Sequence, residues 1–97
     1  MLTVDPKKNI FFDSLSVTAL RYGWERRSQL DTVAMGLDFL QNYDGWVVYN
    51  HGRDVAIARE TDIFLYKCLS SEDSATVAFA MIRELNQVEN ANDPGQP

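Results

Sequence analysis

Gln29-Leu30-Asp31-Thr32-Val33-Ala34-Met35-Gly36-Leu37-Asp38-Phe39-Leu40-Gln41-Asn42-Tyr43 is the stretch whose reading decides the fold. Leu30, Val33, Ala34, Leu37 and Leu40 recur at helical spacing and form one apolar stripe. Met35, Phe39 and Tyr43 form a second, spaced i, i+4, i+8, on the opposite side at about 100° per residue. Ser28 stands where a cap belongs, Asp31 at the third position and Gly45 beyond the end. The pattern predicts a helix from Gln29 to Tyr43 with two apolar faces, either sandwiched inside the fold or presenting one face to a partner. A monomer rarely leaves a large apolar strip uncovered. Met35, Phe39 and Tyr43 are therefore the expected interface of a homodimer, in which a two-fold axis buries the same residues on both copies. In the competing arrangement, segment 14–27 covers the strip with Leu20, Tyr22 or Trp24. Leu37 is expected in the core, more so than Met35 or Phe39.

Downstream, Trp46–Tyr49, Val55–Ala58 and Ile63–Lys67 are short runs of β-branched and aromatic residues separated by polar turns. They predict a three-stranded antiparallel meander, and the small Ala56 and Ala58 imply close packing over one face. In Asn50-His51-Gly52-Arg53, Gly52 supplies a positive φ at no steric cost and Asn50 can close the turn with its side chain. Ser70 to Asp73 then offer caps, with Ser70 and Asp73 at capping-box spacing. Val77, Ala78, Met81, Ile82, Leu85 and Val88 follow at helical spacing, with Thr76, Arg83, Glu84 and Gln87 opposite, which predicts an amphipathic C-terminal helix. Segment 14–27, SLSVTALRYGWERR, is read as a helix with Leu15, Ala19 and Tyr22 on one side and Val17, Leu20 and Trp24 on the other. Read as a strand, the same segment would need a bulge.

The expected fold is α+β: two N-terminal helices, a three-stranded antiparallel meander and a C-terminal helix. Residues 1–12 form an arm or a short strand near Leu2–Val4 or Ile10–Phe12, residues 13–88 a single domain, and residues 89–97 a frayed tail around Pro94-Gly95.

A chain of 97 residues with 45% hydrophobic and 24% charged residues matches one soluble globular domain. The single cysteine, Cys68, rules out an internal disulfide and fits a reducing cytosol. No apolar run is long enough to span a bilayer, and MLTVDPKKNIFF lacks the order of a secretory leader. A cytoplasmic location and no membrane partner are expected. The net charge is −5, with the acidic excess after residue 30. An acidic surface repels phosphate backbones and steers toward basic partners, so nucleic acid is disfavoured.

No catalytic constellation emerges. His51 and Asp54 straddle an expected hairpin tip with no serine or cysteine nucleophile beside them, and the five glycines are isolated, with no phosphate-binding loop. One histidine and one cysteine make no metal motif, and Asp54, Glu60 and Asp62 lack the rhythm of a calcium loop. No metal or other cofactor is expected, and a buried structural Cys68 is favoured over a reactive one. The run Arg21-Tyr22-Gly23-Trp24-Glu25-Arg26-Arg27 stands out instead. Tyr, Trp and Arg are enriched at protein-binding hot spots, which makes Arg21, Tyr22, Trp24, Arg26 and Arg27 the candidate partner contacts. The alternative is that Tyr22 and Trp24 belong to the core while the arginines balance the acidic surface. Small size, acidity and the Arg/aromatic run favour a non-enzymatic module that binds another protein, of adaptor, immunity or inhibitor type. The competing class is a small enzyme or ligand-binding domain whose site forms across a homo-oligomer interface.

Overall fold

The computed structural model describes residues 13–91. The expected strand near Leu2–Val4 or Ile10–Phe12 lies outside them, as do residues 92–97 of the expected tail. The fold is α+β. Helix α1 (Ser14–Arg21) leads into strand β1 (Glu25–Arg27), and a single helical turn, α2 (Thr32–Met35), follows. Strands β2 (Asp38–Tyr43), β3 (Trp46–His51), β4 (Asp54–Arg59) and β5 (Asp62–Lys67) come next, then helix α3 (Ser74–Ala91). The sheet order is β1-β5-β4-β3-β2, with every neighbour antiparallel. The three expected strands are present as β3, β4 and β5, each slightly longer than predicted, but the sheet is not the three-stranded meander expected. It has five strands, with β2 added at one edge and β1 at the other.

Two expectations are corrected. The first is the helix from Gln29 to Tyr43. Asp31 caps a single turn by accepting a hydrogen bond from the Ala34 N–H (3.0 Å), and Gly36 closes it in the left-handed conformation, φ 69°. A glycine there ends a helix because it carries no Cβ penalty. The chain then extends and pairs with β3 through a two-residue turn, Asp44-Gly45, both with positive φ (49° and 92°). That is the turn whose twist matches a hairpin. The second correction is the N-terminal pair of helices: segment 14–27 divides into α1 and β1, joined by a turn at Tyr22-Gly23 in which Gly23 has φ 87°. In addition, α3 extends to Ala91, past the expected domain end at residue 88.

Strand alternation divides the sheet into two faces. Trp46, Val48, Val55, Ile57 and Phe64 point to the face covered by α1 and α3, where they pack with Ala19, Trp24, Ala78, Met81, Ile82 and Leu85. Fully burying each large side chain contributes about 1.5–3 kcal/mol. The helix fits because residues 78, 81, 82 and 85 form one stripe. Polar contacts fix its far half: the Trp46 indole N–H donates to Asn86 Oδ1 (3.0 Å), and Asn86 Nδ2 donates to Asp44 Oδ2 (2.9 Å). On the opposite face Ala56 is buried between Tyr49 and Leu65 in register, which accounts for its small size.

The proposed dimer stripe does not exist as one surface. Met35 sits on α2, while a bulge between Phe39 and Gln41 turns the two ends of β2 to opposite faces. Phe39 lies opposite Tyr49 and is 61% exposed. Tyr43 lies opposite Trp46 and stacks on Phe79 of α3 at 4.4 Å. Leu37 is buried as expected, although it precedes a strand instead of lying in a helix.

The His51–Asp54 hairpin behaves as a bend, with Gly52 at φ 59° in its first central position. Open space surrounds the site of an added Cβ, so a substitution there meets only backbone strain. Gly52→Val is expected to destabilise by about 1 kcal/mol or more, read from the urea midpoint, because a β-branched residue resists positive φ.

Asp73, not Ser70, caps α3: its Oδ2 accepts from the Thr76 N–H (3.0 Å) and hydroxyl (2.9 Å). The backbone bond from Thr76, then the hydroxyl bond, hold the Asp73 carboxyl below its ordinary pKa. A folded-state pKa below the unfolded value means that this stabilisation is complete above the unfolded pKa and disappears as pH falls through the folded one. Asp73→Asn keeps a cap without the charge. Urea midpoints at pH 7 and at about pH 3 should therefore show a smaller acid-induced loss for the variant than for wild type.

Candidate functional site

The Arg/aromatic run is divided by the fold. Arg21 and Tyr22 are exposed at the end of α1, and Arg27 is exposed on β1, where it pairs with Glu25 (2.6 Å). Trp24 is 2% exposed and stacks on Tyr66 with ring centroids 5.0 Å apart. The Arg26 side chain is 6% exposed, donates to Asp62 Oδ1 (2.8 Å) and Ser16 Oγ (3.1 Å), and holds its guanidinium 5.2 Å from the Phe64 ring centre. Arg26 is a structural clamp between α1 and the β4–β5 turn. Trp24 belongs to the core, but it also reaches a cavity.

That cavity, of about 250 Å³, opens where the end of α1, the end of β5 and the first half of α3 converge. Strand pairing brings its aromatic wall together: Glu25 lies opposite Leu65, which sets Trp24 beside Tyr66 on the helix-covered face. Tyr22, half exposed, lies at the rim. Helical spacing supplies the second wall, because Val77, Met81 and Glu84 stand at i, i+4 and i+7 on one face of α3.

Two carboxylates line this space. Glu72 Oε1 accepts hydrogen bonds from the Leu69 N–H (2.7 Å) and from the Tyr66 hydroxyl (2.9 Å). The bond to Glu72, then desolvation, keep the Tyr66 phenol above its ordinary pKa, so the ring remains a neutral donor. Glu84 is half-buried, and among the described residues neither Glu84 nor Glu72 forms a salt bridge. A cation that enters this space gains from the attraction of both carboxylates.

Other chemistry nearby is muted. Cys68 is buried, and burial first, then Glu72 and Asp73, push its thiol pKa up, away from the reactive thiolate. His51 is exposed, its Nδ1 3.9 Å from Asp38 Oδ2. Among the described residues no group of three or more His, Cys, Asp or Glu is placed to hold a metal ion, and no helix is long and apolar enough to cross a membrane.

Sequence reading found Tyr22 and Trp24 but missed Tyr66, Glu72 and Glu84. Placing Glu84 on the polar side of α3 hid its alignment with Val77. Tyr66 and Glu72 meet Trp24 only through the pairing of β1 with β5, which joins segments about 40 residues apart. No protein-family model matches the chain, and no curated protein and no solved structure matches it either.

Proposed function

We propose that this protein is a non-enzymatic interaction module that acts by binding another protein through the end of the molecule where α1 meets the cavity. One observation carries the reading. Helix α1 turns Val17 and Leu20 outward at i, i+3 spacing, with Leu20 72% exposed, and Tyr22 continues this apolar strip to the rim of the cavity. Apolar side chains bordering a concave site with charged groups inside it are the anatomy of an anchor-receiving surface. The net charge of −5 favours a basic partner and speeds its approach.

The test uses variants that spare the core. Leu20→Asp changes an exposed position and should alter stability by no more than about 0.5 kcal/mol. Used as bait in an extract of the source cell, wild type and Phe39→Asp, changed on the other face of the sheet, should retain the same partner. Leu20→Asp should lose it. Equal retention by all three baits would place the contact elsewhere.

A further inference from the structure

The geometry points to an alkylammonium group as the occupant of the cavity between α1, β5 and α3: the head of a lysine side chain or of a small free amine. The lysine case rests on the protein-binding role proposed above; the pocket chemistry itself does not. Three features converge on this ligand class. Glu72 and Glu84 put negative charge on the lining with no internal cation paired to either among the described residues. Glu72 Oε1 accepts from the Tyr66 hydroxyl and the Leu69 N–H, so that carboxylate is already oriented, and neither of these bonds uses its second oxygen. Tyr22, half exposed, and Tyr66, stacked on Trp24 behind it, put aromatic surface on the lining, and an aromatic ring attracts a cation within about 6 Å.

The rest of the lining discriminates. Val77, Ala80 and Met81 form an apolar wall on which a methylene stem can lie, so an ammonium on a short alkyl chain matches both halves of the site. An anion would face two carboxylates, and a neutral alkyl group would leave both unpaired. The volume of about 250 Å³ accommodates a butylammonium-sized group but not a folded peptide, so a protein partner would insert one side chain.

The experiment is a titration of the full ¹⁵N-labelled chain, followed by amide and indole NMR shifts, with n-butylammonium, with the neutral 1-butanol, and with a capped Gly-Lys-Gly peptide. The expected result is saturable shifts at the Trp24 indole and at residues 66, 72 and 77–84. Butylammonium should bind about tenfold more tightly than the alcohol and weaken as salt is raised. Glu84→Gln, which breaks no hydrogen bond or ion pair among the described residues, should reduce the ammonium affinity about fivefold to tenfold and leave the alcohol unchanged. Tighter binding of the peptide than of the amine identifies lysine as the source; the reverse order identifies a free amine. Equal binding of amine and alcohol, an unchanged affinity in Glu84→Gln, or no shifts at these residues overturns the proposal. Leu20→Asp separates the two readings: it should abolish partner capture while the amine titration stays intact.

Discussion

Phe64→Ala is expected to cost about 3–5 kcal/mol, the range for removing a buried ring whose surroundings cannot collapse into the space. Phe64 is fully buried at the centre of β5, between Ile57 in register on one side and Arg26 on the other. Its ring lies 6.2 Å from that of Trp46 and beneath the Arg26 guanidinium at 5.2 Å. Truncation therefore leaves a cavity and also removes the surface that the buried cation rests on. In a domain of this size each kcal/mol moves the melting temperature by roughly 4–8 °C, so a fall of about 12 °C or more is expected by calorimetry. A loss below about 1 kcal/mol would mean that this part of the core is not packed as described.

Arg26→Ala should be the next most damaging change, at about 2–4 kcal/mol, near the range seen when one partner of a buried ion pair is removed. The guanidinium joins three parts of the chain: Asp13, which caps α1, Ser16 within α1, and Asp62 with the Thr61 carbonyl at the β4–β5 turn. Asp62 keeps a second cation, Arg59 at 3.0 Å, so it is not left isolated, and that moderates the cost. Arg26→Met isolates the electrostatic part, because methionine restores apolar contact with Phe64 without the charge. If Met recovers most of the stability lost in Ala, packing dominates. If it recovers little, the charge network does. Comparing urea midpoints of the three proteins decides the matter.

What was legible in the sequence follows from how local each signal is. The three central strands were legible because each is a short run of β-branched and aromatic residues between polar turns, and α3 because its apolar residues keep one helical period. The polar turn Asn50-His51-Gly52-Arg53 was legible as well, since Gly52 sits between two apolar runs that have to reverse direction. Segment 29–43 was not. The spacing of Met35, Phe39 and Tyr43 is a multiple of four, and four is close to one helical turn and also an even number of strand steps. Periodicity alone could not separate the two. The discriminating signals were Gly36 within the stretch and Asp44-Gly45 after it, which fit a one-turn helix and a tight hairpin better than a long helix.

By itself, the sequence determined the α+β class, the positions of three of the five strands, the C-terminal helix, the acidic charge balance and the turn at Gly52, because each depends on residues within a few positions of one another. Only the tertiary structure decided the rest. It placed β1 beside β5, turned Phe39 and Tyr43 to opposite faces through a bulge, and committed Arg26 and Trp24 to the interior. It also assembled Trp24, Tyr66, Glu72 and Glu84 around one cavity. The physical reason is that strand pairing and helix docking bring together groups far apart along the chain, at a loop-closure cost that grows only slowly with the separation. Local periodicity carries no record of which distant partner repays that cost.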